Sequence, residues 1–145
     1  MQPKREARYG DGASPFGFED LDVYQVARDF RKRAYKLASR LPEAERYALA
    51  QQVRRAAYSL TANLAEGYGR HNWQEGTQFC RQARGSLLEL VEAINVCEDE
   101  QYAPAEHLQG LKSEATRLLR LINGYISYLQ RQKESGRRST RSKDA

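Results

Sequence analysis

The chain has 145 residues, a formal net charge of +5 and a mean hydropathy of −0.83, so we expect one domain with a substantial core. No stretch approaches the roughly 18 consecutive apolar residues that a membrane-spanning helix requires. The N-terminal sequence lacks the apolar segment of a secretory signal. These features predict a cytoplasmic protein with no membrane partner.

The positive charge is concentrated at the C-terminal end. Residues 131–145 carry six basic and two acidic side chains, whereas residues 16–130 carry equal numbers of each. A basic segment of this kind favours nucleic acid or another polyanion as a partner. A solubilising tail without any partner is an equally open interpretation.

Apolar residues recur at intervals of three and four through four segments, which predicts four helices. Asp20 or Asp22 is expected to cap the first helix, and Pro42 to end it and to open the second. We expect Gly67 and Gly69 to end the second helix as C-terminal caps.

The third predicted helix starts at Asn72, where Asn72 and Glu75 have the spacing of a capping box. A linker at residues 99–103 follows, and Pro104 suits the first turn of the fourth helix. Cys80 and Cys97 fall within the third helix about 25 Å apart, so we expect free thiols.

Short connections between long helices predict an all-α fold, an antiparallel up-down-up-down four-helix bundle. The bundle is expected to span residues 16–133. Residues 1–15 and 134–145 are rich in glycine, serine or charge, and we expect both segments to be disordered.

Catalytic motifs are weak. His71 and His107 lack a metal-binding spacing, and the Gly67–Gly69 stretch follows a helix without the third glycine of a phosphate loop. Glu89 and Glu92 have no accompanying E-x-x-H motif. We therefore expect a non-enzymatic protein without a metal or cofactor.

A polar stripe accompanies the apolar positions of the second helix. Ser59, Asn63 and Glu66 share one helical face with Arg70. Because unpaired polar groups are costly near a core, we expect Asn63 and Glu66 to be partly buried. Their expected hydrogen-bond partners are Arg55, Arg70, Arg84 or Ser86.

Tyrosine and arginine alternate along one face of the first helix, at Tyr24, Arg28, Arg31 and Tyr35. Such a face can stack on bases and contact phosphates. It is also typical of protein–protein interfaces. We assign Arg28 and Arg31 to nucleic-acid binding and Tyr24 and Tyr35 to an interface between subunits.

Two further features predict self-association. Gly85 lies in mid-helix, where glycine is unfavourable unless another group approaches closely. Residues 16–70 carry ten basic and seven acidic side chains, and residues 71–130 carry five and eight. Oppositely charged halves could meet head to tail and close into a ring.

Three sequence blocks together resemble a bacterial four-helix-bundle family that includes the proteins encoded by intervening sequences in 23S rRNA genes. The blocks are FEDLDVYQVARDF, RRAAYSLTANLAEGYGR and ARGSLLELVEA, within residues 16–130. The accessory variability determinant proteins of diversity-generating retroelements are more distant relatives. The second block resembles the family pattern R-R-A-A-x-S-I-P-x-N-I-A-E-G-x-G-R, with Thr61 in place of its proline. The positions assigned to the family motifs are Arg54, Arg55, Ser59, Asn63, Glu66, Gly67, Gly69, Arg70, Arg84, Gly85 and Ser86.

The resemblance implies a four-helix bundle that assembles into a ring, with five subunits in some relatives, and a role linked to nucleic acid. It implies no reaction. From these expectations we interpret the chain as an oligomer that binds RNA or DNA through a basic ring surface and C-terminal arms containing Arg137, Arg138 and Arg141. The alternative is a structural or protein-interaction scaffold without affinity for nucleic acid.

Overall fold

The computed structural model describes residues 14–70 and 72–144, with side chains as far as residue 136. In these residues it contains four α-helices and no strand, which confirms the all-α class. The four helices are α1 at Asp22–Ser39, α2 at Leu49–Tyr68, α3 at Trp73–Asp99 and α4 at Ala105–Asp144. A short 3₁₀ turn at Phe18–Asp20 precedes α1, and another at Glu43–Glu45 lies between α1 and α2.

Each helix packs against two others: α1 contacts α2 and α4, and α3 contacts α2 and α4. Along the α2–α3 contact, Ser59 of α2 meets Ser86 of α3, and Gly67 of α2 meets Gly76 of α3. Residues later in α2 therefore contact residues earlier in α3. The α3–α4 contact has the same order, since Glu98 meets Lys112 and Gln74 meets Lys133. Both pairs of helices therefore run in opposite directions.

The core lies where the four apolar stripes meet. Phe30 from α1, Leu60 from α2, Leu87 from α3 and Leu118 from α4 are all buried almost completely. Each such side chain contributes about 1.5–3 kcal/mol through removal of its surface from water. The predicted stripes are therefore confirmed as the core, although Val26, Leu41, Leu49 and Phe79 are only partly buried.

The second helix begins later than predicted. Pro42 has an extended backbone and leads into the 3₁₀ turn Glu43–Glu45, and α2 starts only at Leu49. Tyr47 is highly exposed, and no apolar side chain between Leu41 and Leu49 is buried. Without an apolar contact to hold this segment against the core, a continuous helix gains little from tertiary packing.

Gly67 has a packing role instead of the predicted capping role. It lies inside α2. Gly69 is the C-cap of the helix, as predicted, although its backbone is right-handed with φ −72°. A Cβ on Gly67 would lie 3.0 Å from the Phe79 Cβ and 3.1 Å from the carbonyl oxygen of Gly76. Gly67 and Gly76 therefore allow the α2 and α3 backbones to approach each other closely.

The start of α3 agrees with the sequence pattern. Asn72 precedes the helix, and its Oδ1 accepts hydrogen bonds from the backbone N–H groups of Gln74 at 2.9 Å and Glu75 at 3.3 Å. This side chain satisfies two of the donors that the first turn leaves unpaired. The same helix contains Cys80 and Cys97 as free, buried thiols, as predicted.

The segment before α1 is folded against the end of α2. Gly17 has a φ of 68°, and a Cβ at this position would lie 2.5 Å from the Tyr68 ring. Glycine is therefore required here both by the backbone conformation and by the Tyr68 contact. The arrangement places Phe18 beside the outer surface of α2.

The C-terminal segment differs from the expectation of disorder. α4 continues to Asp144, although residues 134–145 had the composition of a disordered tail. No proline follows Pro104, so the sequence contains no strong helix breaker after α4 begins. Lys133 reaches Gln74 in the first turn of α3, and residues 134–144 therefore continue beyond the start of α3. Residues 1–13, predicted to be disordered, lie outside the described part of the chain, as does His71.

Candidate nucleic-acid and assembly surfaces

Arg31 does not extend freely from α1. It is half-buried, and its Nη1 donates a 2.9 Å hydrogen bond to Oγ1 of the buried Thr61 on α2. The Thr61 hydroxyl in turn donates to the carbonyl oxygen of Tyr58 at 3.3 Å. The guanidinium is thus held across the α1–α2 contact, and only part of it faces solvent.

The other members of the Tyr/Arg face separate into two groups. Arg28 and Tyr35 are exposed, as a binding surface requires. Tyr24 is buried, and its ring packs edge-on against Phe18 with centroids 5.0 Å apart. The assignment of Tyr24 to a subunit interface is therefore wrong, because its aromatic ring faces the interior of the protomer.

The polar stripe of α2 forms a hydrogen-bonded cluster centred on Ser59. The Ser86 hydroxyl donates to Ser59 Oγ at 2.8 Å, and Asn63 Nδ2 donates to the same atom at 3.0 Å. Asn63 also donates to the Ser59 carbonyl at 2.9 Å. Asn63 is partly buried, as predicted, but its partner is Ser59. The Ser86–Ser59 bond connects α3 to α2, and the two Asn63 bonds remain within α2.

Glu66 is more exposed than predicted. Its carboxylate pairs with Arg70 at 2.6 Å, and both side chains are substantially open to solvent. The Arg70 guanidinium also lies over the Phe79 ring, 4.9 Å from the centroid. This pair belongs to the surface, so the large penalty expected for a buried ion pair does not apply to it.

The remaining arginines of the motif blocks are also near the surface. Arg55 makes a long 3.8 Å ion pair with Glu89, and both side chains are exposed. Arg54 is half-buried. Arg84 donates a 2.9 Å hydrogen bond to Asn123 Oδ1, which connects α3 to α4.

Gly85 does not permit a close contact inside the protomer. It is exposed, and a Cβ at this position would meet no heavy atom within 4 Å. The close approach predicted for this glycine is therefore absent among the described residues. Leu88, one turn further along α3, is also exposed.

An open groove lies along the outer side of α2, and we call it the α2 groove. Its volume is about 450 Å³, and it is lined by Phe18, Tyr58, Ala62, Ala65, Glu66, Gly69 and Arg70. Phe16 stands beside Phe18, with ring centroids 6.4 Å apart. The groove was not predicted from the sequence, because its position depends on how residues 14–20 fold against Tyr68. The spacing of Tyr58, Ala62, Ala65 and Gly69 is the one signal that was available.

Burial makes the two thiols poor nucleophiles. It raises the pKa of Cys80 to about 12. It also raises the pKa of Cys97, to which the charge of Glu45 adds. A thiol must ionise to attack an electrophile or bind a metal. Among the described residues, no group of three His, Cys, Asp or Glu side chains is placed to hold a metal ion.

The arm residues Arg137, Arg138 and Arg141 lie within the last part of α4. The structure describes the backbone of these three residues but not their side chains. They follow Glu134, Ser135 and Gly136, all of which are exposed. None of the described helices is long and apolar enough to cross a membrane.

The comparison with protein families agrees with this architecture. Residues 19–124 match the family described as 23S rRNA-intervening sequence protein, a range that begins just before α1 and ends within α4. No curated protein matches the sequence significantly. Because the family match covers most of the chain and includes the second and third motif blocks and all but Phe18 of the first, the protein belongs to the 23S rRNA-intervening sequence protein family.

Proposed function

We propose that the protein is a non-enzymatic, cytoplasmic RNA-binding bundle that acts as an oligomer. The observation that carries the proposal is the uneven charge of α4. Residues 16–130 carry no net charge, whereas residues 131–145 carry six basic and two acidic side chains. α4 extends through this basic segment as far as Asp144. This segment has no apolar residue from Gln130 to Asp144, so a polyanion suits it better than an apolar protein surface.

The proposed assembly builds on the helix contacts. The opposed directions of α2 and α3, and of α3 and α4, support an up-down-up-down bundle. Several such bundles in a ring would bring several arms together. Five copies, the number suggested by the family resemblance, would gather about twenty net positive charges from arms that each carry +4.

The exposed face of α1 supplies a second contact in this proposal. Arg28 and Tyr35 are available to phosphates and bases, respectively. Arg31 has a different role, because its bond to Thr61 fixes the guanidinium beside this face. It would present a positive charge at a set position without losing side-chain freedom on binding.

A scaffold without affinity for nucleic acid is the second candidate. It is favoured by the aromatic side chains that the fold leaves exposed, notably Phe16 and Tyr58. Exposed aromatic groups of this kind are typical of protein–protein contacts. The two candidates differ in whether the arm has a ligand.

Fluorescence anisotropy with a labelled structured RNA, measured over a range of salt concentrations, tests the proposal. We expect binding at low salt that weakens linearly on a log–log plot, since bound phosphates release counterions. The oligomeric state is measured in parallel by sedimentation velocity. An assembled protein that fails to bind RNA at low salt would favour the scaffold instead.

A further inference from the structure

The α2 groove lies beside the Arg31 guanidinium. Thr61, which accepts the Arg31 hydrogen bond, comes three residues after Tyr58 and four before Ala65, so the three side chains are neighbours on the α2 surface. Tyr58 and Ala65 both line the groove. The guanidinium is therefore held at the edge of the groove that faces α1.

The exposed face of α1 extends this edge. Arg28 and Tyr35 lie one turn before and one turn after Arg31, on the same side of the helix, and both are exposed. The bond to Thr61 uses one of the five N–H donors that a guanidinium carries. Two cationic groups and an aromatic ring thus border the groove on its α1 side.

Charge distinguishes this side of the bundle from the side formed by α3. Together, α1 and α2 carry seven basic and three acidic side chains, whereas α3 carries two and five. A partner that carries phosphate groups is attracted to the first side and repelled by the second. The charges around the groove therefore favour a polyanion over a neutral or acidic peptide.

The groove offers an aromatic ring with open space beside it. Tyr58 is 65% exposed, although its backbone is part of a well-packed helix. Ala62, Ala65 and Gly69 line the same groove and leave room next to the ring, and the volume of about 450 Å³ suits one small molecule. Flat aromatic surfaces of this kind are where proteins stack single-stranded bases.

The ion pairs near the groove leave the Tyr58 ring accessible. Glu66, which pairs with Arg70 at 2.6 Å, is eight residues after Tyr58, or about two helical turns along α2. Arg55 pairs with Glu89 of α3, away from the α1 edge. Carboxylates balance both of these arginines, so phosphate contacts are expected from α1 instead.

From this placement we infer that the α2 groove binds one unpaired nucleobase of an RNA, which stacks on the Tyr58 ring while Arg28 and Arg31 contact the adjacent phosphates. The base must be unpaired, because neighbouring bases cover both of its faces inside a duplex. The inference rests on the RNA binding in the proposed function, and it adds the class of RNA and the site that reads it.

Two RNA hairpins of equal length test the stacking contact. One contains a single bulged adenosine, and the other contains an abasic site at the same position, so the two carry the same number of phosphates. Fluorescence anisotropy at one low salt concentration gives the affinity of the full chain for each hairpin. We expect the adenosine bulge to bind about 10-fold more tightly, within the range that stacking on one aromatic side chain provides.

Four variants assign this preference to individual side chains. Tyr58→Ala should bind the two hairpins equally, whereas Tyr58→Phe retains the ring and should keep the preference. Tyr47→Ala is the matched control, because Tyr47 is 78% exposed but precedes α2 and is not part of the groove lining. Arg28→Gln should weaken the binding of both hairpins and leave their ratio unchanged. Circular dichroism establishes that each variant keeps its helical content.

Equal affinities of the unchanged chain for the two hairpins would overturn the base site, leave RNA binding itself standing, and leave the groove to a protein partner. A preference that survives in Tyr58→Ala would overturn the assignment to this groove, and an unchanged affinity of Arg28→Gln would overturn the phosphate contact. No binding of either hairpin at low salt would overturn the proposed function together with this inference.

Discussion

Arg31 and Thr61 form a 2.9 Å hydrogen bond across the α1–α2 contact. A proline at position 61, as in the family pattern that the second block resembles, has no hydroxyl group and no backbone N–H, so it could neither accept this bond nor complete the helical ladder. Thr61 is buried while Arg31 is only half-buried. The Thr61 hydroxyl thus holds one nitrogen of the Arg31 guanidinium against α2.

A double-mutant cycle with Thr61→Val and Arg31→Met measures this bond. Valine keeps the shape of threonine but removes the acceptor, and a charged donor that loses its partner is destabilising. Because water reaches part of Arg31, we expect each change to lower the free energy of unfolding by about 1 kcal/mol, with a coupling of similar size. Urea unfolding gives all four values. Additive effects would show that the pair contributes nothing.

The glycine contact between α2 and α3 predicts opposite effects of the same substitution at two sites. Gly67→Ala should destabilise the protein by more than about 1 kcal/mol, because the added Cβ meets the Phe79 Cβ and the Gly76 carbonyl. Gly124→Ala is the control, since a Cβ there meets no atom within 4 Å. It should stabilise α4 by up to about 1 kcal/mol through helix propensity. Thermal melting distinguishes the two, and a stabilised Gly67→Ala variant would contradict the close contact.

The polar stripe predicts that Ser59 matters more than Glu66. Ser59→Ala removes the acceptor used by both Ser86 and Asn63, so we expect a loss of about 1–2 kcal/mol. Glu66→Ala removes one exposed ion pair and should cost less than about 0.5 kcal/mol. Chemical denaturation of both variants provides the comparison. An equal or larger effect of Glu66→Ala would contradict this ranking.

The thiols should be protected in the folded protein. Burial raises the pKa of Cys80 from 9.0 to about 12, so iodoacetamide at pH 8 should alkylate it only through unfolding. Between pH 9 and pH 12, the unfolded thiol loses its proton while folded Cys80 keeps it. The free energy of unfolding therefore falls as the pH rises through this window. Rapid alkylation without denaturant would contradict the burial.

The sequence predicted the helices well because their apolar residues repeat at intervals that the core requires. It also located the Asn72 cap, since a capping side chain acts on backbone groups only two and three residues away. The start of α2 was misplaced because Pro42 permits a helix but cannot supply the packing that sustains one. The local sequence after Pro42 favours a helix, but without packing against the core this preference is too weak, and the helix starts later.

The surface was harder to predict for a different reason. Tyr24 and Tyr35 have equivalent positions in the sequence pattern, yet Phe18 covers Tyr24 and leaves Tyr35 exposed. That difference depends on Gly17 and its contact with Tyr68, which no periodicity encodes. Likewise, Gly67 and Gly85 both suggested special backbone roles, but only the structure shows that Gly67 faces α3 and Gly85 faces solvent.

The central claim is that the C-terminal arm binds RNA. The most direct test compares two variants that lose the same positive charge, one in the arm and one in the body of the bundle. One variant changes Arg137, Arg138 and Arg141 to glutamine, and the control changes Arg81, Arg117 and Arg120, so both lose the same charge. Affinity for one structured RNA is measured against salt. The account predicts that the arm variant flattens the log–log slope by about 2 units, since each phosphate contact contributes roughly 0.7 to 0.9, while the control keeps the slope of the unchanged chain. Equal slopes for the arm variant and the control would contradict it.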